Sequence, residues 1–432
     1  MKIPSSIFKA YDIRGIVETE LTPEIVKLIG RAVGSESIEK GERGVVVGRD
    51  GRLTGPELSE ALISGLIESG CHVVNIGMVP SPVVYFATHT KAATSGVMIT
   101  GSHNPAEYNG LKIMIAGETL SAEKIQSLYT RILENDFKTG SGTSTSINID
   151  QDYINTIKSD INLEKELNIV IDCGNGVAGN IAPQLFEALG VKLSKLFCLV
   201  DGRFPNHHPD PSKPKNLEDL IQEVIETKSD LGLAFDGDGD RLGLIDNKGK
   251  IIWADQQMML YAKDVLTRNK GAKIIFDVKC TSLLPKVISD NGGEPIMSRT
   301  GHSFIKKKLK ETNAALAGEM SGHIFFKERW YGFDDALYTA ARLLEIVSKS
   351  NKSCSELFDE FPVNLSTPEI NINFDKHGQQ FEAMDSLSSH IDFPGANINT
   401  IDGVRVDYED CWGLVRPSNT TPCLVLRFEA KD

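Results

Sequence analysis

The chain has few cysteines, and they follow no pairing pattern. Seven cysteines are spread over 432 residues, and no two of them form a Cys-x-x-Cys pair. An odd number without such spacing is not typical of a disulfide-stabilised secreted domain or of a structural zinc site. We therefore expect free thiols, most of them in apolar cores, and a reducing compartment.

Long apolar runs are also missing. No stretch approaches the roughly 18 apolar residues that a membrane-spanning helix needs. Residues 1–15 contain no apolar segment of signal-peptide length. We predict a cytoplasmic protein that is a monomer or a weak homo-oligomer and has no membrane partner.

Positive charge is in deficit. The sequence has 46 Lys and Arg against 59 Asp and Glu, a net charge of −13. Nucleic-acid-binding proteins usually have a basic surface, so no nucleic-acid partner is expected. The Gly-x-x-x-x-Gly-Lys-Ser/Thr loop of ATP-binding proteins is absent as well. An anionic substrate would have to be bound by cations gathered locally in a cleft.

One pattern of apolar strand, helix and terminal glycine occurs three times. The copies begin at Gly44, Ile169 and Lys273. Their helices end at Gly70, Gly190 and the pair Gly292 and Gly293. Short apolar strands that alternate with glycine-terminated helices predict βαβ units with parallel or mixed sheets.

The length and the repeat together predict several domains, because one hydrophobic core stops growing at roughly 250–300 residues. The predicted fold class is α/β, with three similar mixed α/β domains and a smaller C-terminal α+β domain. The predicted boundaries are 1–150, 151–253, 254–364 and 365–432. Residues 138–146, rich in Gly, Ser and Thr, are expected to form an exposed loop or linker.

The most specific motif is Asp-Gly-Asp-Gly-Asp-Arg at residues 236–241, directly after the apolar run 231–235. Carboxylates at alternate positions repel one another unless a cation neutralises them. Glycines let the backbone curve, so that Asp236, Asp238 and Asp240 can converge. A hard divalent cation such as Mg²⁺ prefers oxygen ligands of this kind.

A second motif, Thr-Gly-Ser-His-Asn-Pro at residues 100–105, also follows an apolar run. Ser102 can present its hydroxyl at the end of a strand, with His103 next to it and Lys112 further along. This pattern suits a nucleophile beside a base and a cation. A plain polar turn explains it about equally well if it is considered alone.

Two further loops could bind a sugar phosphate. Glu319, Ser321 and His323 lie in a glycine-bounded loop at residues 318–323 and could contact sugar hydroxyls. The second loop, at residues 416–422, combines an arginine with hydroxyl and amide groups that can bind phosphate oxygens. Either loop alone could be an ordinary surface turn.

A rival interpretation comes from Gly-Asn-Gly-Val-Ala-Gly at residues 174–179, which matches the dinucleotide-binding fingerprint. Asp201 lies about where an acidic ribose partner would be expected. An NAD-dependent oxidoreductase therefore stays an alternative. It explains neither the three aspartates nor Ser102, and tight packing of a strand against a helix is a purely structural use of these glycines.

Taken together, the motifs resemble the α-D-phosphohexomutase superfamily along nearly the whole chain. Residues 8–15 resemble its opening segment, 100–105 its phosphoserine loop and 236–241 its magnesium loop. Residues 318–323 resemble its sugar-specificity loop and 416–422 its phosphate-binding loop. With Met320 in it, the loop at residues 318–323 resembles that of the bacterial phosphomannomutase/phosphoglucomutase type.

The resemblance implies an intramolecular phosphotransferase with four domains around a central active-site cleft. It would interconvert hexose 1- and 6-phosphates of mannose, glucose or both, through phosphorylated Ser102 and a 1,6-bisphosphate intermediate. One Mg²⁺ per chain would be held by Asp236, Asp238, Asp240 and the Ser102 group, and hexose 1,6-bisphosphate would act as an activator. The family's last domain continues past the strand that ends near Phe428, so a trimmed or minimal last domain is expected here.

The resemblance also implies roles for individual residues. The implied substrate-binding residues are Tyr11, Lys279, Glu319, Ser321, Arg416, Ser418, Asn419 and Thr420, and Arg241 is a further active-site residue. The candidates for the general acid or base are His103, Lys112, Arg14, His302 and His323. The sequence does not rank these candidates. A phosphoglucosamine mutase, a sugar phosphatase or other phosphotransferase, and a non-catalytic binding protein remain alternatives.

Overall fold

The computed structural model describes residues 3–91, 93–376 and 378–432, which divide into two compact units. The first unit comprises Met1–Trp253 and Ser321–Glu356. The second comprises Ala254–Met320 and Leu357–Asp432. None of the helices in the described parts is long and apolar enough to cross a membrane.

The first part of the first unit is an α/β domain built on a mixed sheet. Its strands are β1 (Ile13–Ile16), β2 (Gly44–Arg49), β3 (His72–Met78), β4 (Ser95–Ile99), β5 (Tyr108–Ile115), β6 (Glu118–Thr119) and β7 (Thr143–Ser146). Its helices are α1 (Pro23–Glu39), α2 (Gly55–Glu68), α3 (Ser81–Thr90) and α4 (Glu123–Leu133). The strand order is β1-β5-β4-β2-β3-β7, with β6 paired to β5.

Strands β2, β3, β4 and β7 run parallel, whereas β5 is antiparallel to β4. The apolar side chains of β2 and β4 pack with the inner faces of α1 and α2 in one continuous core. Because β2 and β4 are parallel neighbours, their carboxyl ends lie at the same edge of the sheet. Residues 50–52 and 100–102 follow these two ends.

A second α/β domain of the same unit follows. Its elements are α5 (Asp150–Asp160), β8 (Asn168–Asp172), α6 (Ala182–Ala188), β9 (Lys192–Leu196), α7 (Glu218–Thr227), β10 (Leu231–Phe235), β11 (Leu242–Asp246) and β12 (Ile251–Ile252). The strand order is β12-β11-β10-β8-β9. Strand β8 is parallel to β9 and β10, whereas β10 and β11 form an antiparallel hairpin whose turn contains residues 236–241.

The chain then enters the second unit through α8 (Ala254–Arg268), β13 (Lys273–Asp277), α9 (Leu283–Asp290), β14 (Glu294–Ser298), α10 (His302–Thr312) and β15 (Leu316–Gly318). Strand β13 lies between β14 and β15, and both pairings are parallel. The elements β16 (Ile324–Phe326), α11 (Ala336–Lys349) and α12 (Cys354–Phe358) come next along the chain.

The C-terminal part of the second unit is an α+β domain. It contains β17 (Leu365–Ser366), β18 (Ile370–Asn373), α13 (Gln379–Ser388), β19 (Asn397–Asn399), β20 (Val404–Asp407), β21 (Cys411–Pro417) and β22 (Cys423–Ala430). The sheet has the order β17-β22-β21-β20-β19 and is antiparallel at each of these pairings. Helix α13 packs on β21 and β22, which agrees with the predicted α+β architecture of this part.

The three predicted strand–helix copies are present as β2–α2–β3, β8–α6–β9 and β13–α9–β14. The first strand of each copy begins within one residue of its predicted start, and each helix ends two residues before its predicted terminal glycine. The prediction for residues 138–146 was wrong in part, because Thr143–Ser146 forms the exposed edge strand β7. Its backbone pairs with β3, and this needs no apolar side chains because all four residues face solvent.

Helices α1 and α2 approach each other so closely that Gly65 cannot carry a side chain. A Cβ atom at Gly65 would lie 2.1 Å from the carbonyl oxygen of Lys27 on α1. We predict that Gly65→Ala forces the helices apart and lowers the free energy of unfolding by about 1–3 kcal/mol. Urea denaturation measures this change. Ser64→Ala, on the same helix, is the matched control and should stay within about 0.5 kcal/mol; equal effects of the two substitutions would contradict the packing argument.

The N-terminus of α11 contains a buried carboxyl group that should make stability depend on pH. Asp335 accepts hydrogen bonds from the Tyr338 amide (2.9 Å), the Tyr153 hydroxyl (2.8 Å) and the Trp330 indole (3.1 Å). Burial nevertheless raises the pKa of Asp335 to about 7, compared with about 4 in an unfolded chain. Between these values the folded state binds more protons than the unfolded state.

We therefore predict that the free energy of unfolding falls as the pH rises from about 4 to about 7, and that this contribution is constant above that range. The comparison is wild type against Asp335→Asn in urea at about pH 5 and about pH 8. Relative to Asp335→Asn, the free energy of unfolding of the wild type should be higher at about pH 5 than at about pH 8. If the free energy of unfolding changes equally with pH in both proteins, Asp335 is not the cause of the pH dependence.

Candidate active site

The predicted nucleophile lies at the carboxyl edge of the first sheet. Asp50, directly after β2, accepts hydrogen bonds from the Thr100 hydroxyl (2.7 Å) and the Gly101 amide (3.2 Å). The Thr100 hydroxyl in turn accepts one from the Ser102 amide (2.7 Å). Ser102 is buried, and its backbone is held in the left-handed region with φ of 49°. These contacts aim the Ser102 hydroxyl away from the sheet.

A buried arginine that the motif analysis missed holds the rest of this loop. The Arg52 guanidinium is fully buried beside Asp50, 3.2 Å from its carboxylate. It donates hydrogen bonds to four loop carbonyl groups at 2.6 to 2.9 Å, those of Ser102, Asn104, Pro105 and Tyr108. The planar fork of donors on one side chain therefore organises the whole turn. The sequence Asp-Gly-Arg at residues 50–52, directly after a buried strand, could have indicated Arg52 as a functional candidate.

The Ser102 hydroxyl faces the acidic loop. Its Oγ atom donates a hydrogen bond to Asp236 Oδ2 at 3.1 Å and lies 3.1 Å from His103 Nδ1. At Gly237 a Cβ atom would lie 2.3 Å from the Ser102 carbonyl oxygen. A glycine at this position is therefore what allows the acidic loop to pack on the serine loop.

The three predicted aspartates do converge. Asp236, Asp238 and Asp240 are each completely buried in the turn between β10 and β11. Each offers a carboxylate oxygen, and the three oxygens lie within 4.8 Å of one another. The amides of Asp240 and Arg241 donate to Asp236 Oδ1 at 3.0 and 3.1 Å. Such a set of hard oxygen donors fits a divalent cation.

Lys112 supplies the positive charge that this cluster needs. Its ammonium group donates to Asp238 Oδ2 at 2.6 Å and also to Asp240. Although burial opposes its charge, these two carboxylates raise the pKa of Lys112 well above its usual value. Burial and the carboxylates of Asp240 and Asp238 raise the pKa of Asp236 well above its usual value. One lysine does not compensate three buried carboxylates.

The Oδ1 atom of Asp238 also indicates that the acidic loop needs a further cation. Asp238 Oδ2 also accepts a hydrogen bond from the Ser81 hydroxyl at the start of α3. Asp238 Oδ1 is buried without a hydrogen-bond partner. A buried carboxylate oxygen without a partner is costly, and a metal ion would satisfy it. The residues present therefore fit a bound divalent cation.

His323 also contacts the acidic loop. Its Nε2 atom lies 3.2 Å from Asp240 Oδ1 and 3.3 Å from Nε of Arg241, which donates to it. Its Nδ1 atom is 3.1 Å from the Ser321 hydroxyl. Asp240, His323 and Asp334 form a second buried group whose spacing could hold a metal ion. Asp334 is a further residue that the sequence analysis did not select.

The remaining base candidates of the first unit lie near Ser102. Burial, together with the cations Arg241 and Arg14, lowers the pKa of His103 well below its usual value. Its imidazole is therefore neutral near pH 7. Arg14, on β1, donates hydrogen bonds to Asn104 of the serine loop and to Asp12. Tyr11 is half-buried in the segment that precedes β1.

In the second unit, Asp277 at the end of β13 contacts the loops that precede His302 and follow Glu319. Asp277 accepts hydrogen bonds from the Thr300 hydroxyl (2.9 Å) and the Met320 amide (3.2 Å). Glu319 is buried, and its carboxylate accepts the Gly301 amide at 2.5 Å. His302 is the first residue of α10 and is also buried. Asp277 thus ties together the loops at residues 300–302 and 318–320.

Two cations of the second unit are held by carboxylates. The Arg416 Nε atom donates to Asp402 Oδ2 at 3.0 Å. Lys279 donates to Glu369 at 2.7 Å. Although burial opposes the charge of Lys279, Glu369 and Asp277 raise its pKa above the usual value, and the nearby Arg416 guanidinium acts in the opposite direction. Two buried cations close enough to influence each other are suited to an anionic ligand.

The loop after β21 presents hydroxyl groups beside Arg416. The Ser418 hydroxyl lies 2.8 Å from the Thr421 hydroxyl and 3.4 Å from the Thr420 hydroxyl. Ser418 is buried, Asn419 is half-buried and Thr420 is exposed. The predicted residues of this loop are therefore neighbours, but they differ in accessibility.

Models of one protein family match almost the entire chain. Their descriptions are phosphoglucomutase/phosphomannomutase alpha/beta/alpha domain I at residues 5–139, domain II at 151–249 and domain III at 253–364, and the C-terminal domain at 369–432. The chain has four domains of this family in the order of the family.

Individual proteins agree with the family match. A phosphomannomutase/phosphoglucomutase of Pseudomonas putida is 58% identical over 428 residues, which are 99% of this chain and 92% of that protein. A phosphoglucomutase of Neisseria meningitidis is 53% identical over 99% of this chain and 94% of its own length. A crystal structure of a family protein from Burkholderia thailandensis has a TM-score of 0.95 at 50% identity and covers 100% of this chain and 94% of that one.

The chain therefore belongs to the phosphoglucomutase/phosphomannomutase family. This membership confirms the predicted resemblance, the α/β fold class and the enzyme class, a phosphohexomutase. The glycine-rich loop at residues 174–179 has a structural use, since the Val177 amide donates to the Gly237 carbonyl at 3.1 Å. The oxidoreductase alternative has no support in the family match.

The contacts of Arg52 lead to a testable prediction. Arg52→Lys keeps the charge beside Asp50, but three ammonium donors cannot reach four carbonyl groups in the planar geometry of the guanidinium. We expect the free energy of unfolding to fall by about 2–3 kcal/mol and amide hydrogen exchange to rise at residues 100–108. Arg49→Lys is the matched control, because Arg49 donates to one carbonyl group, that of Asp50. Unchanged exchange in the Arg52 variant would contradict this role.

Proposed function

We propose that this protein interconverts hexose 1-phosphates and hexose 6-phosphates by transferring a phosphoryl group through Ser102. The observation that carries the proposal is the position of the Ser102 hydroxyl, 3.1 Å from Asp236 in a buried group of three carboxylates and one lysine. A nucleophile at this position can accept and donate a phosphoryl group beside a metal site.

The metal ion proposed for Asp236, Asp238 and Asp240 is Mg²⁺, one per chain, which would neutralise charge on the phosphoryl group during transfer. Lys112 fixes the positions of Asp238 and Asp240 before the ion binds. The phosphate on Ser102 would provide a further oxygen ligand. Arg52 and Arg14 contact the loop that carries it, and Arg241 of the acidic loop would be a further active-site residue.

The proposed reaction has two transfers. A sugar hydroxyl attacks the phosphorus of phosphorylated Ser102, the bond to Ser102 Oγ breaks, and the hydroxyl proton passes to a base. The product is a hexose 1,6-bisphosphate. After this intermediate has changed its orientation, Ser102 Oγ attacks the phosphorus of the other phosphate and the bond from that phosphorus to the sugar oxygen breaks. The sugar oxygen takes up the proton from the base, and the sugar leaves as the isomeric monophosphate.

Two histidines of the first unit can accept the proton. His103 is neutral at pH 7 and its Nδ1 atom contacts Ser102 Oγ. His323 contacts Asp240 and Arg241. Comparison of His103→Gln and His323→Gln distinguishes them, because loss of the base lowers kcat and removes the acidic limb of the pH–rate profile. Lys112, Arg14 and His302 would then act as binding or positioning residues.

The family resemblance supports the proposed contacts for the rest of the substrate. Arg416, with the hydroxyl and amide groups of Ser418, Asn419 and Thr420, would bind the phosphate that is not transferred. Glu319 and Ser321 would contact sugar hydroxyls, as the family resemblance implies. Lys279, His302 and Tyr11 are the remaining proposed substrate contacts. Arg416 and Lys279 are two buried cations in one unit of a chain with a net charge of −13. This local concentration of positive charge supports a binding site for an anion.

The sugar specificity is proposed to include both mannose and glucose, because relatives at 53–58% identity bear both names. Activation by hexose 1,6-bisphosphate follows from the intermediate, since this compound phosphorylates Ser102 in an enzyme that has lost its phosphate. A cytoplasmic location and a monomer or weak homo-oligomer stay predictions, and so do the four domain boundaries.

A coupled assay with Ser102→Ala tests the proposal. We expect wild type to convert mannose 1-phosphate and glucose 1-phosphate to the 6-phosphates with Mg²⁺ and a trace of the 1,6-bisphosphate. Turnover should fall at least about a thousandfold in the variant, because the phosphoryl carrier is gone. Ser127→Ala, at an exposed serine of the same domain, should keep wild-type turnover.

Two results would count against this function. Unchanged turnover in Ser102→Ala would exclude the phosphoserine route. Release of inorganic phosphate by the wild type without any isomeric sugar phosphate would indicate a phosphatase on the same scaffold.

A further inference from the structure

Two of the seven free cysteines have their sulfur atoms in contact. Cys173 directly follows β8, and Cys198 comes two residues after β9. The two Sγ atoms are 3.5 Å apart. The contact follows from the topology, because β8 and β9 are parallel neighbours with Asp172 opposite Leu196. Side chains just beyond their carboxyl ends therefore meet.

The two thiols differ in exposure and in acidity. Cys173 is buried, whereas Cys198 is half-buried and accessible to a small oxidant. The sulfur–sulfur contact with Cys173 lowers the pKa of Cys198, and the same contact together with burial raises the pKa of Cys173. By comparison, burial raises the pKa of Cys71 to about 11. Cys198 is therefore the more reactive thiol of the pair.

We propose that Cys173 and Cys198 are a reversible oxidation site, at which a hydroperoxide converts the two thiols to a disulfide that weakens metal binding by the acidic loop. The Cys198 thiolate attacks the peroxide, the O–O bond breaks, and Cys198 becomes a sulfenic acid as an alcohol or water leaves. The Cys173 sulfur then attacks the Cys198 sulfur, and the hydroxyl leaves as water. The two thiols lose two electrons in total, and the peroxide gains them.

The backbone connects this pair to the acidic loop. A disulfide requires a sulfur–sulfur distance of about 2.0 Å, so the two sulfurs must approach each other by about 1.5 Å. The Asn175 amide donates to the Phe197 carbonyl at 2.8 Å, and the Val177 amide donates to the Gly237 carbonyl at 3.1 Å. Gly237 lies between Asp236 and Asp238. A shift of residues 173–177 is thus passed to the carboxylates, whose positions set the affinity for a metal ion.

Peptide mapping after oxidation tests the disulfide. The full-length protein is treated with a small molar excess of hydrogen peroxide and digested with and without a reductant. We expect one linked peptide pair that contains Cys173 and Cys198 and that separates on reduction. Cys198→Ser should abolish it, and Cys411→Ser, at an exposed cysteine, should leave it unchanged. Absence of the linked pair, or its presence in Cys198→Ser, would overturn the proposal.

Calorimetric titration with Mg²⁺ tests the second half of the proposal, which rests on the proposed metal site. We expect the oxidised wild type to bind Mg²⁺ about tenfold more weakly than the reduced wild type. Peroxide should not change the affinity of Cys198→Ser. Equal affinities of oxidised and reduced wild type would overturn the coupling. If the reduced wild type fails to bind Mg²⁺, the metal site and the coupling are wrong, whereas the disulfide is judged by the peptide map alone.

Discussion

The arrangement of the first unit depends on the neutralisation of three buried carboxylates. Asp236, Asp238 and Asp240 have no exposed surface, and desolvated like charges at this separation are unfavourable without a cation. Lys112 supplies one positive charge. Lys112 lies on β5, opposite Met98 of β4. A strand of the first sheet therefore carries the cation that contacts the acidic loop of the second domain. Electrostatics thereby couples two domains of the first unit.

The serine loop is organised by hydrogen bonds and not by apolar packing. Asp50 binds its first residues and Arg52 binds its carbonyl groups, which leaves the Ser102 side chain as the part directed at the acidic loop. A left-handed backbone at a serine costs conformational energy. The surrounding hydrogen bonds offset this cost and hold one orientation of the hydroxyl. Such preorganisation is what a group-transfer reaction requires of its nucleophile.

Much of the fold could be predicted from the sequence. The positions of the glycines and the apolar runs locate the three strand–helix copies, because a helix end and a buried strand are local properties. Strand β7 could not be predicted, since its polar residues pair through the backbone with a strand that is distant in sequence. Asp277 and Asp402 were missed for a related reason. Each is an isolated acidic residue in the sequence, and its role comes from the loops that it joins in space.

By itself the sequence determined which chemical groups are available: a serine at the end of an apolar run, three aspartates spaced by glycine, and an arginine among hydroxyls. Short motifs encode these groups because each lies within one turn of the backbone. Only the tertiary structure decided that Ser102 contacts Asp236, that Lys112 balances Asp238 and Asp240, and that Arg52 holds the serine loop. These pairs are separated by 50 to 134 residues along the chain. Their contacts depend on the sheet order and on parallel carboxyl edges, which no local pattern specifies.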